Sequence, residues 1–319
     1  SLAIRQGWRR SVVGRSATLS LQSMTSPLIV VTGAAGQLGQ TISRLWSESP
    51  LPQYQFKALD RSELDLSQPE SAIAVLAELK PSVIVNAAAY TQVDKAESDS
   101  IDAHLVNAEA VGRIAAWSAE NDARLIHVST DFVFDGTSKT PYEPDQQTNP
   151  LGTYGASKLA GEQQIQAMAK QHSAIIRTSW LYSEYGNNFV KAMLRLMGEK
   201  EQLSVVNDQI GSPTSTHGLA VLIFAMILNR NAAGIYHWTD GGSISWFEFA
   251  LEIQRQAVQE GLLSKAIPIS PIPASEYLAP ARRPAYSVLD RSRALADFDC
   301  PSADWKAQLN LVIKELGSK

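Results

Sequence analysis

One cysteine, Cys300, is all that the chain of 319 residues has. A lone thiol excludes an intrachain disulfide and any cysteine-rich metal centre, and it fits a reducing, cytoplasmic setting. Charge of one sign is not in excess either: 28 Lys and Arg stand against 32 Asp and Glu, a net of −4. Residues 1–26 hold four arginines (Arg5, Arg9, Arg10, Arg15) and no acid, which leaves the rest near −8. A mildly acidic body argues against non-specific nucleic-acid binding and against a polybasic membrane face. No apolar run is long enough to span a bilayer, which takes about 20 residues. The longest, LAVLIFAMIL at 219–228, reads as a buried helix. His104, His127, His172 and His237 show no ligand spacing and are expected in packing or at the surface.

The Arg- and Ser-rich start also lacks a clean apolar stretch leading to a small-residue cleavage site. It reads as an organellar transit peptide or as an over-long start with Met24 the true beginning. Either way residues 1–26 are expected to lie outside the fold and to be disordered.

From Leu28 onward, apolar strand-like runs alternate with helical patterns. Strands are expected at 28–32, 54–60, 82–89, 123–130 and 173–182, and helices at 36–48, 69–80, 100–121 and 153–171. That alternation implies a parallel sheet covered on both faces, a doubly wound, Rossmann-like α/β fold. After about residue 180 the order loosens: helices at 186–201 and 246–261, a strand at 203–208, and a proline-rich 264–290 of short strands and turns. Residues 27–180 with about 203–240 are expected to bind a dinucleotide. About 181–202 and 241–319 are expected to form a smaller, mixed α/β substrate-binding portion over the strand ends.

VVTGAAGQLGQTI, at 30–42, joins the first strand to the first helix through Gly33, Gly36 and Gly39. In a dinucleotide turn the first glycine permits the tight bend, the second lets backbone approach a pyrophosphate, and the third packs helix on strand. The helix start, with Gln37 and Leu38, offers N–H groups to phosphate. Asp60 ends the second strand, where a carboxylate receives the ribose hydroxyls of NAD. Arg61 follows and suits the extra phosphate of NADP, so use of either NADPH or NADH is expected. Asp65 and Leu66 stand in a turn suited to an adenine contact or a helix cap. Ala87, Ala88 and Ala89 end the third strand with side chains small enough for a flat ligand to lie against backbone.

Thr130 ends the fourth strand, and TYGASK (153–158) opens a helix. Tyr154 and Lys158, four apart, share a helical face. An ammonium one turn away favours the phenolate and is expected to lower the phenol pKa. Thr130 can hydrogen-bond a substrate carbonyl. These are the parts of a polarised carbonyl with a proton donor beside a hydride source.

Thr130, Tyr154 and Lys158 with the three glycines resemble the extended short-chain dehydrogenase/reductase superfamily. VIVNAAAYTQVDKAE (83–97), HVSTDFVFDG (127–136), NPLGTYGASKLAGE (149–162), IRTSWLY (176–182), GNNFVKAMLRL (186–196), VVNDQIGSPT (205–214) and ARRP (281–284) are similar to the dTDP-4-dehydrorhamnose reductase family within it. The resemblance spans about 28–316. It implies hydride transfer from NADPH or NADH to carbon 4 of dTDP-4-dehydro-6-deoxy-L-mannose. Tyr154 is then the proton donor, Lys158 tunes it and holds the nicotinamide ribose, and Thr130 orients the carbonyl. The resemblance also places Val93, Asp131 and Trp180 near the sugar and Asn187 and Arg283 toward the nucleotide and diphosphate.

Three departures qualify it. Phe132 stands where many members have Tyr, and Tyr90 where some have His. Some members dimerise around magnesium through glutamates, but the two alignable positions hold Thr41 and His217, so no metal is expected, and a monomer or weak homodimer is. A sugar-nucleotide dehydratase is a rival reading, but those enzymes carry Asp-Glu after the threonine where this chain has Asp131 and Phe132. A second rival is a non-catalytic, NADP-binding regulatory subunit of the methionine adenosyltransferase type. Saturable turnover of a nucleotide sugar separates that reading from a reductase.

Overall fold

The computed structural model describes residues 26–298, 300–301 and 303–318. The expectation for the leader up to residue 25 lies outside the described residues. β1 (Leu28–Thr32) runs through the glycine turn into α1 (Gln37–Leu45). Next come β2 (Gln55–Leu59), α2 (Pro69–Leu79) and β3 (Val83–Asn86). The segment Ser100–His104, a wide π turn at Leu105–Glu109 and α3 (Ala110–Glu120) stand where one helix over 100–121 was expected. β4 (Arg124–Thr130), α4 (Thr153–Met168) and β5 (Ser173–Thr178) follow. Then come α5 (Phe189–Glu199), α6 (Thr216–Leu228), β6 (Gly234–His237), α7 (Trp246–Gln259) and α8 (Trp305–Gly317).

Six parallel strands form the sheet in the order β2-β1-β3-β4-β5-β6. The order reverses between β1 and β3, so their carboxyl ends flank the crevice where open α/β sheets bind ligands. β3 and β5 are buried along their whole length, as continuous apolar runs in a two-faced parallel sheet require. β2, at an edge, exposes Gln55 and Lys57. One face packs on α1 and α6, where the 219–228 run lies as the expected buried helix. The other face packs on α2, α3 and α4.

A separate apolar cluster joins α5, α7 and α8 with the parallel pair Leu203–Val206 and Ile269–Ile272. Ala294, Phe298 and Cys300, late in the chain, return to the sheet's core. Two expectations differ. The strand over 173–182 stops at Thr178 because Trp180 takes φ 48°, a left-handed conformation that breaks an extended run. Within 264–290 one strand forms, Ile269–Ile272, followed by a single 3₁₀ turn at Ala274–Glu276.

Candidate active site

The glycine turn lies against the end of β3. Gly33 has φ 74°, and a Cβ there would stand 2.9 Å from Ala88 Cα. A Cβ on Gly39 would stand 2.3 Å from the Gly33 carbonyl oxygen, so the turn closes only without side chains. Gly36 caps α1 with no side-chain hydrogen bond, which leaves the helix start clear for an anion. Leu38 is buried under the turn, while the Gln37 amide oxygen accepts from Ser183 Oγ at 3.0 Å and Asn188 Nδ2 at 2.9 Å. Ala88 N donates to Thr32 Oγ1 at 3.3 Å, and the backbone of Ala87 and Ala88 lies against the Gly33 turn, with Ala89 next along the chain.

Asp60 accepts from Ser62 Oγ at 2.6 Å and Ser62 N at 2.8 Å, both on Oδ1, and these bonds hold its pKa below the usual carboxylate value. Arg61 is solvent-exposed and reaches back to Asp65 Oδ2 at 3.2 Å and Ser67 Oγ at 3.3 Å. Leu66 sits in the core with Leu59 and Leu76, so its side chain is turned away from solvent.

Thr130, Asp131 and Tyr154 meet where β4 faces the start of α4. The Thr130 hydroxyl donates to Asp131 Oδ1 at 3.1 Å, accepts from Phe132 N at 3.2 Å and bonds the Tyr154 phenol. Phe132 packs edge-on against Tyr154, with ring centroids 5.5 Å apart. Burial pushes the phenol up to about 12. This corrects the expectation that Lys158 lowers it: the ammonium is turned inward. Its Nζ donates to the Val128 carbonyl at 2.7 Å and lies 3.3 Å from His127 Nε2. Burial in turn pushes Lys158 down to about 8. Asp131 is buried with Oδ2 unpartnered, and desolvation raises it to about 6.

α4 is fastened at its start and at its middle. Glu97 accepts from Thr153 N at 2.8 Å at its start. Further along, Glu162 takes a buried, forked ion pair from Arg177 of β5 (2.7 and 2.9 Å) and a 2.5 Å hydrogen bond from Ser129. Asn107, in the π turn, clamps the loop after β3 by bonding both N and O of Tyr90 and also Ser157 Oγ.

Trp180 stacks on Trp246 at 3.5 Å, and a Cβ on Gly211 would stand 2.6 Å from its indole. Val93 opens the short helix Val93–Ala96. Arg283, expected toward the nucleotide and diphosphate or as a solvated surface charge, grips Asp94 of that helix with both Nη atoms, at 3.1 and 3.0 Å. The pairing follows from Asp94 lying opposite it, and it ties the 281–283 segment to the Val93 turn. Asn187 is exposed in the turn before α5, whereas its neighbour Asn188 makes the contacts to Gln37. Asn188, Ser183, Asn107 and Glu97 escaped sequence reasoning, because each acts through a partner 17 or more residues away.

Among the described residues, Glu184, His217 and Glu315 bring ligand atoms within 4.8 Å of one another, a set the sequence did not reveal. It does not fit a magnesium ion. Arg44 already lies 3.4 Å from Glu184 Oε1 and 3.3 Å from Glu315 Oε1 and contacts His217, so a guanidinium stands where the cation would. Burial and Arg44 push His217 down to about 4. Thr41 faces away, sharing a 2.7 Å hydrogen bond with Thr216.

A glycine turn at the reversal point of the sheet, with a phenol and an amine four residues apart on α4, is the arrangement of an extended short-chain dehydrogenase/reductase. The chain matches the family described as RmlD substrate binding domain over residues 27–318 and belongs to it. It is 40% identical over 301 residues to the dTDP-4-dehydrorhamnose reductase of Burkholderia thailandensis, covering 91% of this chain and 99% of that one. Identity to the reductase of Aggregatibacter actinomycetemcomitans is 38% over 286 residues, with 88% and 96% covered. Among solved structures, dTDP-4-dehydrorhamnose reductase from Bacillus anthracis in complex with NADP matches with a TM-score of 0.83 at 36% identity, covering 91% of this chain and 100% of that one.

Proposed function

We propose that this chain reduces the 4-keto group of dTDP-4-dehydro-6-deoxy-L-mannose to dTDP-L-rhamnose with NADPH or NADH. The observation that carries the reading is the meeting of Thr130, Asp131 and Tyr154 beside the β1–β3 crevice, in a chain of this family over nearly its whole length.

Gly33, Gly36, Gln37, Leu38 and Ala87–Ala89 hold the dinucleotide, with Asp60, Arg61, Asp65 and Leu66 toward its adenosine. The glycine cradle that a Cβ would fill supports this fit. When bound, the reduced nicotinamide supplies the hydride for carbon 4. Tyr154 gives its phenolic proton to the carbonyl oxygen, and its raised pKa keeps that proton in place through the neutral range. Thr130 orients the carbonyl, and Lys158 holds the nicotinamide ribose. Proton donation of this kind contributes typically ~10²–10⁴-fold. Val93, Asp131 and Trp180 contact the sugar, with Asn187 at the nucleotide end. Arg283, held by Asp94 beside the Val93 turn, stands toward the nucleotide and diphosphate.

Residues 27–180 and about 203–240 serve as the dinucleotide portion, and 181–202 with 241–319 as the substrate portion. The separate apolar cluster of α5, α7 and α8 supports this division. No helix of the described residues is long and apolar enough to cross a membrane. We take the enzyme to be cytoplasmic, without nucleic-acid or membrane partners, and a monomer or weak homodimer that needs no metal. The single reduced cysteine, the acidic body and Arg44 support these points.

The test is loss of reduced-nicotinamide absorbance on mixing the protein with dTDP-4-dehydro-6-deoxy-L-mannose made in situ, with NADPH and NADH in parallel. Turnover that yields dTDP-rhamnose is expected. Absence of turnover with either cofactor, despite NADPH binding, would overturn the reading.

A further inference from the structure

Lys158 ends a polar ladder that crosses three strands inside the sheet. Thr32 of β1, Asn86 of β3 and His127 of β4 are register neighbours, and each is at most 1% exposed. The Thr32 hydroxyl donates to Asn86 Oδ1 at 2.7 Å, and Asn86 Nδ2 lies 3.0 Å from His127 Nδ1. His127 Nε2 lies 3.3 Å from Lys158 Nζ. An amide NH₂ only donates, so His127 Nδ1 is the acceptor and the proton of the neutral ring sits on Nε2. An Nε2–H can bond an uncharged amine but gives nothing to an ammonium. The other hydrogen-bonding arrangement needs the Asn86 amide turned end for end. His127 Nδ1 then donates to Asn86, and Nε2 accepts from the ammonium. That turn would make the Thr32 hydroxyl accept from Nδ2 as well as from Ala88 N, at the edge of the glycine turn. It would also take the Oδ1 acceptor from the hydroxyl's own proton, which opposes it.

We propose that this ladder makes His127 a positioning residue for Lys158. With Thr32 fixing the Asn86 amide, His127 keeps its proton on Nε2 and so sets how readily the Lys158 ammonium gives up its own. The inference rests on the reading of Lys158 as the group that holds the nicotinamide ribose. The other ionisable groups near Lys158 are Glu162, one turn on and paired with Arg177, and Tyr154, one turn back. The phenol, pushed up to about 12, keeps its proton across this range, and the Glu162 carboxylate is paired with Arg177 at 2.7 Å.

Two variants and a control test it, each checked for folding by thermal unfolding. Thr32→Val touches neither Lys158 nor the phenol. It frees the amide to turn, so the basic limb of kcat/KM for NADPH moves up by about one pH unit, a tenfold change in the proton equilibrium. His127→Asn cannot reach Nζ and raises KM for NADPH about tenfold more than it lowers kcat, a split that packing loss alone would not give. A basic limb in Thr32→Val that coincides with wild type, together with an unchanged NADPH KM in His127→Asn, overturns the proposal. Should Thr32→Val fail to fold, the His127→Asn split decides alone. Lys158→Met is the control: if it turns over like wild type, the reading of Lys158 falls, and this inference with it.

Discussion

In the site proposed above, backbone makes the cofactor side of the cleft, and side chains from distant segments make the sugar side. Gly33 and Gly39 work by having nothing to offer but space, and their geometry is closed within one turn of chain. On the sugar side, Trp180 depends on Trp246 and Gly211, and Arg283 depends on Asp94, 189 residues away. A site made of backbone fails when an atom is added. A site made of side chains fails when a distant partner moves.

The largest expected effect falls where the two sides meet. Tyr154→Phe lowers turnover by about 10²–10⁴-fold yet leaves NADPH affinity nearly unchanged. Cofactor fluorescence titration beside steady-state assay checks this, and loss of both together would refute the division of roles.

Next is a stability effect on the sugar side. Asp131 titrates near 6 in the fold against 3.8 ordinarily. The unfolded chain therefore ionises first as pH rises, and stability falls between about pH 4 and 6 and stays lower above. The loss is on the order of 3 kcal/mol for so buried a group. Asp131→Asn removes that share of the slope, which urea midpoints of both proteins across this range would reveal.

On the cofactor side, Gly39→Ala places a methyl 2.3 Å from a carbonyl oxygen and opens the turn. NADPH binding should weaken about tenfold, with the KM of the nucleotide sugar held. Gly211→Ala is the mirror experiment. It displaces the Trp180 indole, raises the sugar-nucleotide KM about fivefold and spares NADPH. Equal effects of either change on both ligands would erase the distinction.

The same contrast decides what could be read in advance. The glycine spacing, the Tyr154–Lys158 pair and the alternation of strands and helices are local patterns, and each lies within one element or turn. The glycine cradle and the six-stranded order carry that reading over into three dimensions. The inward turn of Lys158 was not legible, because it depends on the Val128 carbonyl and His127, both on β4 and about 30 residues away. The break at Trp180 escaped for a similar reason: its left-handed backbone is held by a stack with residue 246. Arg44 among Glu184, His217 and Glu315 draws on four separate segments, so no spacing announces it.

α4 carries the reacting phenol near one end and, two turns on, the buried Glu162–Arg177 pair that pins it to β5. Removing one member of such a pair typically destabilises by about 3–5 kcal/mol, so the helix cannot loosen without the sheet. The proposed reaction centre is thus tied to the sheet by a buried ion pair rather than carried on a soft patch. On heating, the midpoint of thermal inactivation should coincide with that of unfolding, and the amide protons around Tyr154 should exchange only through whole-molecule opening.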